Sequence, residues 1–245
     1  FKSNNEIIAS PVALPEHWTL QYIKTAMEAI NFGKALGLTF IITFFSILLL
    51  VIVSSFAAWA MVRSKTILSN IVFLCFTAAM LVPFQSLMYP LLSVFEKMGL
   101  KNVQGLILMY GGFGLSMSVF LYHGFIKSVP ASLEEAAVLD GANLFQMFFK
   151  VVFPLLKGTT VTVIVLNGMW IWNDYLLPFL VIGNKTGSKT LTLELYFAKL
   201  TSGQYGNPWE LIFPAVFVTI IPIIILYIFL QKYIVAGVSE GAVKM

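Results

Sequence analysis

The sequence predicts an all-α integral membrane protein with five transmembrane helices. The composition carries part of this prediction, because 59% of the 245 residues are hydrophobic and only 11% are charged. The mean hydropathy is +0.89. Soluble globular domains carry about 25% charged residues, so the chain falls outside their usual range.

Long charge-free stretches carry the rest of the prediction. Five apolar runs each exceed the roughly 20 residues that a helix needs to cross the hydrocarbon core of a bilayer. The runs are residues 35–62, 66–95, 102–126, 158–182 and 211–231. Asp174 is the one charged residue within them, in the run 158–182. The predicted membrane domain is therefore residues 35–231. A polar segment, residues 1–34, precedes this domain, and a tail, residues 232–245, follows it. We expect the tail to be either a strand bound to a partner or disordered.

The charges and the single cysteine exclude several classes of function. The net charge of +4 is spread over the loops, which gives no basis for nucleic-acid binding. Cys75 lies within a predicted span, and one cysteine cannot form an internal disulfide. The sequence contains no P-loop pattern. An ATP-driven machine that contains this chain must therefore take its nucleotide site from another subunit.

The polar connection between the runs 102–126 and 158–182 predicts two short helices joined at a bend. Ser132 followed by Glu135 has the spacing of a capping box, in which each side chain binds a free backbone N–H group. Gly141 can take the left-handed conformation that ends the first helix. Asn143 can cap the second helix.

The same connection resembles the EAA motif of permease subunits in binding-protein-dependent ABC importers. Glu135-Ala136-Ala137 is separated by three residues from Gly141, and nine further residues separate Gly141 from Val151-Val152-Phe153-Pro154. Isoleucine and leucine are commoner in the family at Val151 and Phe153. The resemblance implies that residues 127–157 form a cytoplasmic loop that couples the chain to an ATPase. It assigns this coupling to Glu134, Glu135, Ala136, Ala137, Asp140, Gly141 and Pro154. An ordinary cytoplasmic hairpin is the alternative.

Further segments resemble permeases of the maltose and oligosaccharide (CUT1) type, in particular the smaller, MalG-like permease of a pair. These segments are residues 10–36, the W-N-D stretch at 172–174 and the tail. The family usually has six spans, so the resemblance implies that the first helix is missing here. It also implies that the loop 183–208 faces a docked binding protein, with a mere spacer as the alternative.

The orientation in the membrane rests on the motif. Seven lysines and arginines fall on one predicted side and eight on the other, so their distribution does not decide. The resemblance places the loop 127–157 and the tail in the cytoplasm. It places residues 1–34 and the loop 183–208 outside.

Small and polar residues within the runs predict helix contacts and a solute pathway. Gly111, Gly112 and Gly114 predict close packing of the run 102–126 against another span. Gln85 lies between two prolines, which at membrane depth often bend a helix beside a water-filled path. An amide that only joins helices is the alternative for Gln85.

A second polar cluster lies near the end of the run 158–182. It consists of Asn167, Trp170, Trp172, Asn173, Asp174 and Tyr175. Aromatic faces beside amide and carboxylate groups suit a polyol ligand, so the cluster could line a sugar pathway. An interfacial anchor is the equal alternative, since Trp and Tyr collect at that depth.

The resemblance implies a non-catalytic permease subunit of an ATP-driven carbohydrate importer in the cytoplasmic (inner) membrane of a bacterium or archaeon. Its expected partners are a second related permease, two ABC ATPase subunits or domains, an extracytoplasmic solute-binding protein and the lipid bilayer. The chain is expected to bind no cofactor and no metal, with ATP and Mg on the ATPase. Two alternatives stay open. One is an ABC permease for amino acids or peptides, and the other is an ion-coupled secondary transporter, although the chain lacks the internal repeat typical of the latter.

Overall fold

The computed structural model describes residues 1–183, 189–202 and 208–242, so parts of the predicted loop 183–208 and of the tail lie outside the described residues. Within these ranges all the regular secondary structure is helical. The bounds in chain order are α1 Asn4–Ala9, α2 Gln21–Ala29, α3 Phe32–Ser64, α4 Ile67–Ala79, α5 Phe84–Lys97, α6 Val103–Ile126, α7 Ser132–Leu139, α8 Leu144–Met147, a π-helix at Phe148–Val152, α9 Phe153–Leu155, α10 Lys157–Asn173, α11 Leu176–Val181, α12 Leu191–Ser202 and α13 Trp209–Ala242.

The described part of the chain has three to five candidate membrane spans, judged by helix length and composition. The helices α3 and α6 and the stretch Trp209–Phe229 of α13 are each long and apolar enough to cross a membrane. Two bent pairs satisfy the same criteria only when each is counted as one span. These are α4 with α5, bent by 106°, and Leu144–Leu155 with α10, bent by 76°. The bend between α4 and α5 ends at Pro83, the N-cap of α5, as the prolines of this run predict.

The run 158–182 is not one continuous helix. The helix α10 ends at Asn173, and Asp174 takes an extended conformation with φ −74° and ψ 133°. The Asp174 carboxylate accepts a hydrogen bond of 2.9 Å from the backbone N–H of Leu176. This bond satisfies one of the donors that are left free where α11 begins. Local capping by Asp174 therefore overrides the apolar character of the run.

The boundaries of the predicted segments shift in two places. The helix α3 begins at Phe32, inside the segment 1–34. The expected strand or disordered tail is wrong as far as Ala242, because α13 continues to that residue. Extending an existing helix needs no new nucleus, so residues that would not form a helix alone can continue one.

The helices α3 and α6 form the centre of the bundle and run in the same direction. A Cβ atom on Gly111 would lie 2.5 Å from Cδ2 of Leu49, and one on Gly114 would lie 2.7 Å from Cδ1 of Leu50. Gly112 meets no heavy atom within 4 Å. Two of the three predicted glycines therefore allow the close approach of α3 and α6.

The two ends of the bundle hold different elements. At one end, Trp59 of α3 and Tyr122 of α6 share a buried cluster with Phe148 and Leu156 of the segment that follows α7. We call this the hairpin end, and we call residues 132–155 the hairpin. At the opposite end, α2, α12 and α13 pack on the start of α3 through a cluster that includes Ile30.

We predict that Gly114→Ala lowers the thermal stability of the purified protein, whereas Gly112→Ala leaves it unchanged or raises it slightly. The added methyl at Gly114 would overlap Leu50 and Asn167, and overpacking of this kind typically costs about 1–3 kcal/mol. The same methyl at Gly112 meets open space. Thermal unfolding in detergent measures both variants, and equal melting temperatures would contradict this packing.

Candidate functional site

The hairpin is built by local backbone chemistry at its bend. Gly141 has a φ of +79°, the left-handed conformation that glycine adopts without steric cost. Asn143 accepts a hydrogen bond from the backbone N–H of Gln146, and the Gln146 side chain accepts one from the backbone N–H of Asn143, each at 2.9 Å. The predicted bend at Gly141 and the predicted cap at Asn143 are therefore confirmed.

The predicted capping box at the start of the hairpin is wrong. The helix α7 has Ala131 as its N-cap, with no side-chain hydrogen bond to the first turn. Ala131 is already helical, with φ −64° and ψ −26°, and the backbone N–H of Leu133 donates to the carbonyl of Pro130. An N-cap residue whose side chain binds the first turn typically has an extended backbone conformation and precedes the first helical residue. Ser132 therefore lies inside the helix and cannot cap it.

Glu134 is the buried polar residue of α7, with 7% of its surface exposed. Its Oε2 accepts a hydrogen bond of 3.0 Å from the indole N–H of Trp59. Its Oε1 accepts a hydrogen bond of 2.8 Å from Nε of Arg63 and lies 2.7 Å from Nη2 of the same guanidinium. The EAA resemblance assigns Glu134 to coupling with an ATPase, whereas the structure gives its carboxylate partners within the chain.

Arg63 joins three elements at this point. It lies in the last turn of α3, and its Nη2 also donates to the carbonyl of Val129, just after α6, at 3.0 Å. A cation at a helix C-terminus and a carboxylate in a first turn are each favoured by the helix dipole. Losing one partner of a buried pair costs roughly 3–5 kcal/mol, and the lower part of this range applies because the Arg63 side chain keeps 22% exposure.

The second arm of the hairpin packs on the same part of α3 through aromatic rings. The ring centroids of Phe56 and Phe148 are 3.9 Å apart, and those of Trp59 and Phe148 are 5.3 Å apart. Phe148 begins the π-helix and is fully buried. Residues 56–63 of α3 thus hold one arm of the hairpin by an ion pair and the other by apolar contact.

The outer face of the hairpin carries most of the residues that the EAA resemblance assigns to coupling. Glu135, Ala136, Asp140, Gly141 and Pro154 are exposed, whereas Ala137 is buried. Large apolar side chains are exposed beside them, with Leu139 at 88%. The others are Leu133, Val138, Leu144 and Phe145.

At the opposite end of the bundle, Asp174 lies at the centre of the second predicted cluster. Its Oδ2 accepts a hydrogen bond of 2.9 Å from the hydroxyl of Tyr110 on α6. Its backbone carbonyl accepts one of 2.7 Å from the hydroxyl of Thr192 at the start of α12. Trp170 packs edge-on against Tyr110, with ring centroids 5.5 Å apart. Asp174 therefore connects α6, α10 and α12.

The other predicted pathway residues differ in exposure. Tyr175 is 46% exposed and stacks on Tyr196 of α12 at 5.4 Å between ring centroids, and Asn173 is exposed. Trp172 is buried, and its indole N–H has no hydrogen-bond partner in the described residues. Tyr175 and Asn173 are therefore accessible at the surface of the described chain, whereas Trp172 is not.

Two predicted residues lie apart from this group. Asn167 is buried between helices, and its amide donates to the hydroxyl of Ser118 on α6 at 3.1 Å and to the carbonyl of Val163 at 2.9 Å. The bond to Ser118 joins α10 to α6, whereas the bond to Val163 lies within α10. Gln85 is exposed on α5, and no hydrogen bond joins it to the cluster among the described residues. The pathway roles of all these residues stay predictions.

Four residues of these clusters are not predicted from the sequence: Trp59, Arg63, Tyr110 and Tyr196. A signal for one of them was available, because Arg63 is the only arginine of the sequence. Trp59 precedes it by four residues, which places both side chains on one helix face. No comparable signal marks Tyr110 among nine tyrosines. No group of three or more potential metal ligands occurs in the part of the chain that the structure describes.

A family model described as binding-protein-dependent transport system inner membrane component matches residues 50–240 of this chain. A relative from Thermoanaerobacterium thermosulfurigenes, named probable starch degradation products transport system permease protein AmyC, is 44% identical over 244 residues. The match covers 100% of this chain and 88% of that protein.

Two further relatives and one solved structure are similar. The multiple sugar-binding transport system permease protein MsmG of Streptococcus mutans is 37% identical, over 100% of this chain and 88% of that protein. The melibiose/raffinose/stachyose import permease protein MelC of Bacillus subtilis is 36% identical, over 89% and 79%. A chain in the crystal structure of a bacterial ABC transporter that imports the acidic polysaccharide alginate has a TM-score of 0.79 at 22% identity, covering 95% of this chain and 86% of that one. The last likeness shows the fold.

Proposed function

The chain belongs to the family of binding-protein-dependent transport system inner membrane components, and from this premise we propose that it is the permease subunit of an ATP-driven carbohydrate importer. The relatives named above transport starch degradation products, multiple sugars, or melibiose, raffinose and stachyose. Their names favour carbohydrate over amino acids or peptides as cargo. The chain would form the translocation pathway with a second permease and receive its cargo from a binding protein.

The observation that carries the coupling part of this proposal is the exposed face of the hairpin. A carboxylate, Glu135, stands there beside exposed leucines and a phenylalanine, at the end of a membrane-spanning bundle. Exposed apolar groups of this kind mark a surface that a partner covers. The partner that the family requires on the cytoplasmic side is an ATPase, with ATP and Mg bound there and not on this chain. A basic side chain of the ATPase would meet Glu135.

The aromatic cluster at the opposite end is the proposed carbohydrate contact. Trp170 and Tyr175 are partly exposed near the half-buried carboxylate of Asp174. Ring faces pack on the apolar C–H face of a sugar, while amides and carboxylates accept bonds from its hydroxyls. The ring of Tyr175 stacks on Tyr196 of α12. The helix α12 belongs to the loop 183–208, which is proposed to face the binding protein. Sugar would thus pass this cluster on entering the pathway.

We predict that Glu135→Lys and Gly141→Asp leave the chain in the membrane but abolish ATP-dependent uptake. The lysine would repel the basic group expected on the ATPase. The aspartate would strain a left-handed residue by about 1–2 kcal/mol and add bulk where the partner docks. The measurements are ATPase bound per permease and uptake of labelled oligosaccharide into membrane vesicles.

Matched variants separate the causes in this test. Glu135→Gln removes only the charge, and Gly141→Asn adds nearly the same bulk and backbone strain as Gly141→Asp without its negative charge. Wild-type ATPase binding and uptake in both Glu135→Lys and Gly141→Asp would exclude the hairpin as the coupling element.

We predict that Tyr175→Ala lowers the maximal rate of oligosaccharide uptake roughly tenfold, equivalent to about 1.4 kcal/mol, without changing ATPase binding. Tyr175→Phe keeps the ring face and should transport at close to the wild-type rate. Both variants are measured in the reconstituted transporter with loaded binding protein. Equal uptake by Tyr175→Ala and the wild type would reduce this part of the cluster to an interfacial anchor.

A further inference from the structure

The two adjacent glutamates of the hairpin point in different directions. Successive residues of a helix are separated by about 100° of rotation, so neighbours in sequence need not share a face. Glu135 is exposed on the outer face, whereas Glu134 is buried against the end of α3. The two carboxylates are therefore available to different partners, one outside the chain and one within it.

Among the described residues, the side chains that donate hydrogen bonds to the Glu134 carboxylate lie on the last two turns of α3. Trp59 donates to one carboxylate oxygen, and Arg63 donates to the other. Arg63 is the only arginine among the 15 basic residues. A guanidinium can hold several acceptors in one plane, which an ammonium group does less well. Here it holds the carboxylate of Glu134 and the carbonyl of Val129 together.

A buried charged contact of this kind resists separation. Pulling α7 away from α3 would leave the Glu134 carboxylate without its donors in a site that excludes most water, which is strongly unfavourable. Apolar contacts alone would allow the hairpin to slide along α3. The ion pair therefore fixes the position of α7 as well as its distance from α3.

We propose that Glu134, Arg63 and Trp59 are positioning residues that make α7 and the end of α3 move as one body, so that a displacement of the hairpin is transmitted into the membrane. This inference rests on the proposed function, because it assumes that an ATPase displaces the hairpin. We call the three residues the inner clamp. Glu135 receives the force from outside, and the inner clamp passes it to α3. The close packing of α3 on α6 at Gly111 and Gly114 would transmit the displacement of α3 to α6.

The test uses the complete transporter, reconstituted in proteoliposomes with its partner permease, ATPase and binding protein. Three quantities are measured: ATPase bound per permease, ATP hydrolysis stimulated by loaded binding protein, and oligosaccharide taken up per ATP hydrolysed. Glu134→Gln keeps the shape of the side chain and removes its charge. It should keep wild-type ATPase binding and lower uptake per ATP about tenfold, within the ~5–150-fold typical of coupling between sites.

Two further variants keep the inference testable if Glu134→Gln does not assemble. Arg63→Lys keeps the charge but cannot hold both acceptors, and Trp59→Phe keeps the ring and removes one donor. Each should lower uptake per ATP while ATPase binding stays at the wild-type level. Glu96→Gln is the matched control, because Glu96 is 68% exposed in a loose pair with Lys101, and it should match the wild type.

The outcomes separate this inference from the proposed function. Wild-type uptake per ATP in Glu134→Gln or Arg63→Lys would overturn the inner clamp. Loss of assembly in all three clamp variants would also overturn it, because the residues would then serve folding alone. If Glu135→Lys and Gly141→Asp still bind ATPase and transport normally, the coupling part of the proposed function fails, and the clamp fails with it.

Discussion

The structure at the hairpin end depends on one requirement: a carboxylate buried in α7 must be neutralised from within the chain. Glu134 is shielded from water, and a buried carboxylate without donors would be strongly unfavourable. Its donors lie on the last two turns of α3, so the hairpin can dock in only one position along that helix. The buried rings of Trp59 and Phe148 then close the second arm on the same turns.

This docking decides which side of the hairpin remains free. With Glu134 and Ala137 turned inward, Glu135, Ala136 and Asp140 necessarily face outward, and the bend at Gly141 turns the chain so that Leu144 and Phe145 are exposed near them. The exposed surface combines the carboxylates of Glu135 and Asp140 with large apolar groups. Such a surface is suited to a protein partner with a matching cleft. The contacts of Glu134 and Ala137 inside the chain thus determine which side chains the hairpin exposes.

Much of the fold could be predicted from the sequence, because it rests on local chemistry. The apolar runs predict α3, α6 and α13, Gly141 predicts the bend, and Asn143 predicts a cap. Features that depend on distant residues could not be predicted in this way. Glu134 and Arg63 are 71 positions apart, so their pairing is visible only once α3 and α7 are packed together. The same holds for the bond between Tyr110 and Asp174, 64 positions apart.

The features that were predicted wrongly from the sequence have local physical reasons. The cap expected at Ser132 fails because the chain is already helical at Ala131. The break of the run 158–182 was hidden because a single aspartate in an apolar stretch does not by itself distinguish a charge within a helix from a helix end. The exposure of Tyr175 and the burial of Trp172 likewise depend on where α12 packs. The sequence could therefore suggest candidate pathway residues, but it could not show which of their side chains are exposed and which are buried.

The most direct measurement of the central claim is the distance between α7 and the end of α3 during the transport cycle. In a Cys75→Ser background, spin labels at the exposed positions Lys65 and Ser132 report this distance by pulsed electron paramagnetic resonance in the reconstituted transporter. A second label pair, at Ser132 and the exposed Ile228 of α13, reports movement within the bundle. We predict that the distance between positions 65 and 132 is the same with and without ATP, while the distance between positions 132 and 228 changes. A change between positions 65 and 132 as large as that between positions 132 and 228 would contradict the claim that α7 and α3 move as one body.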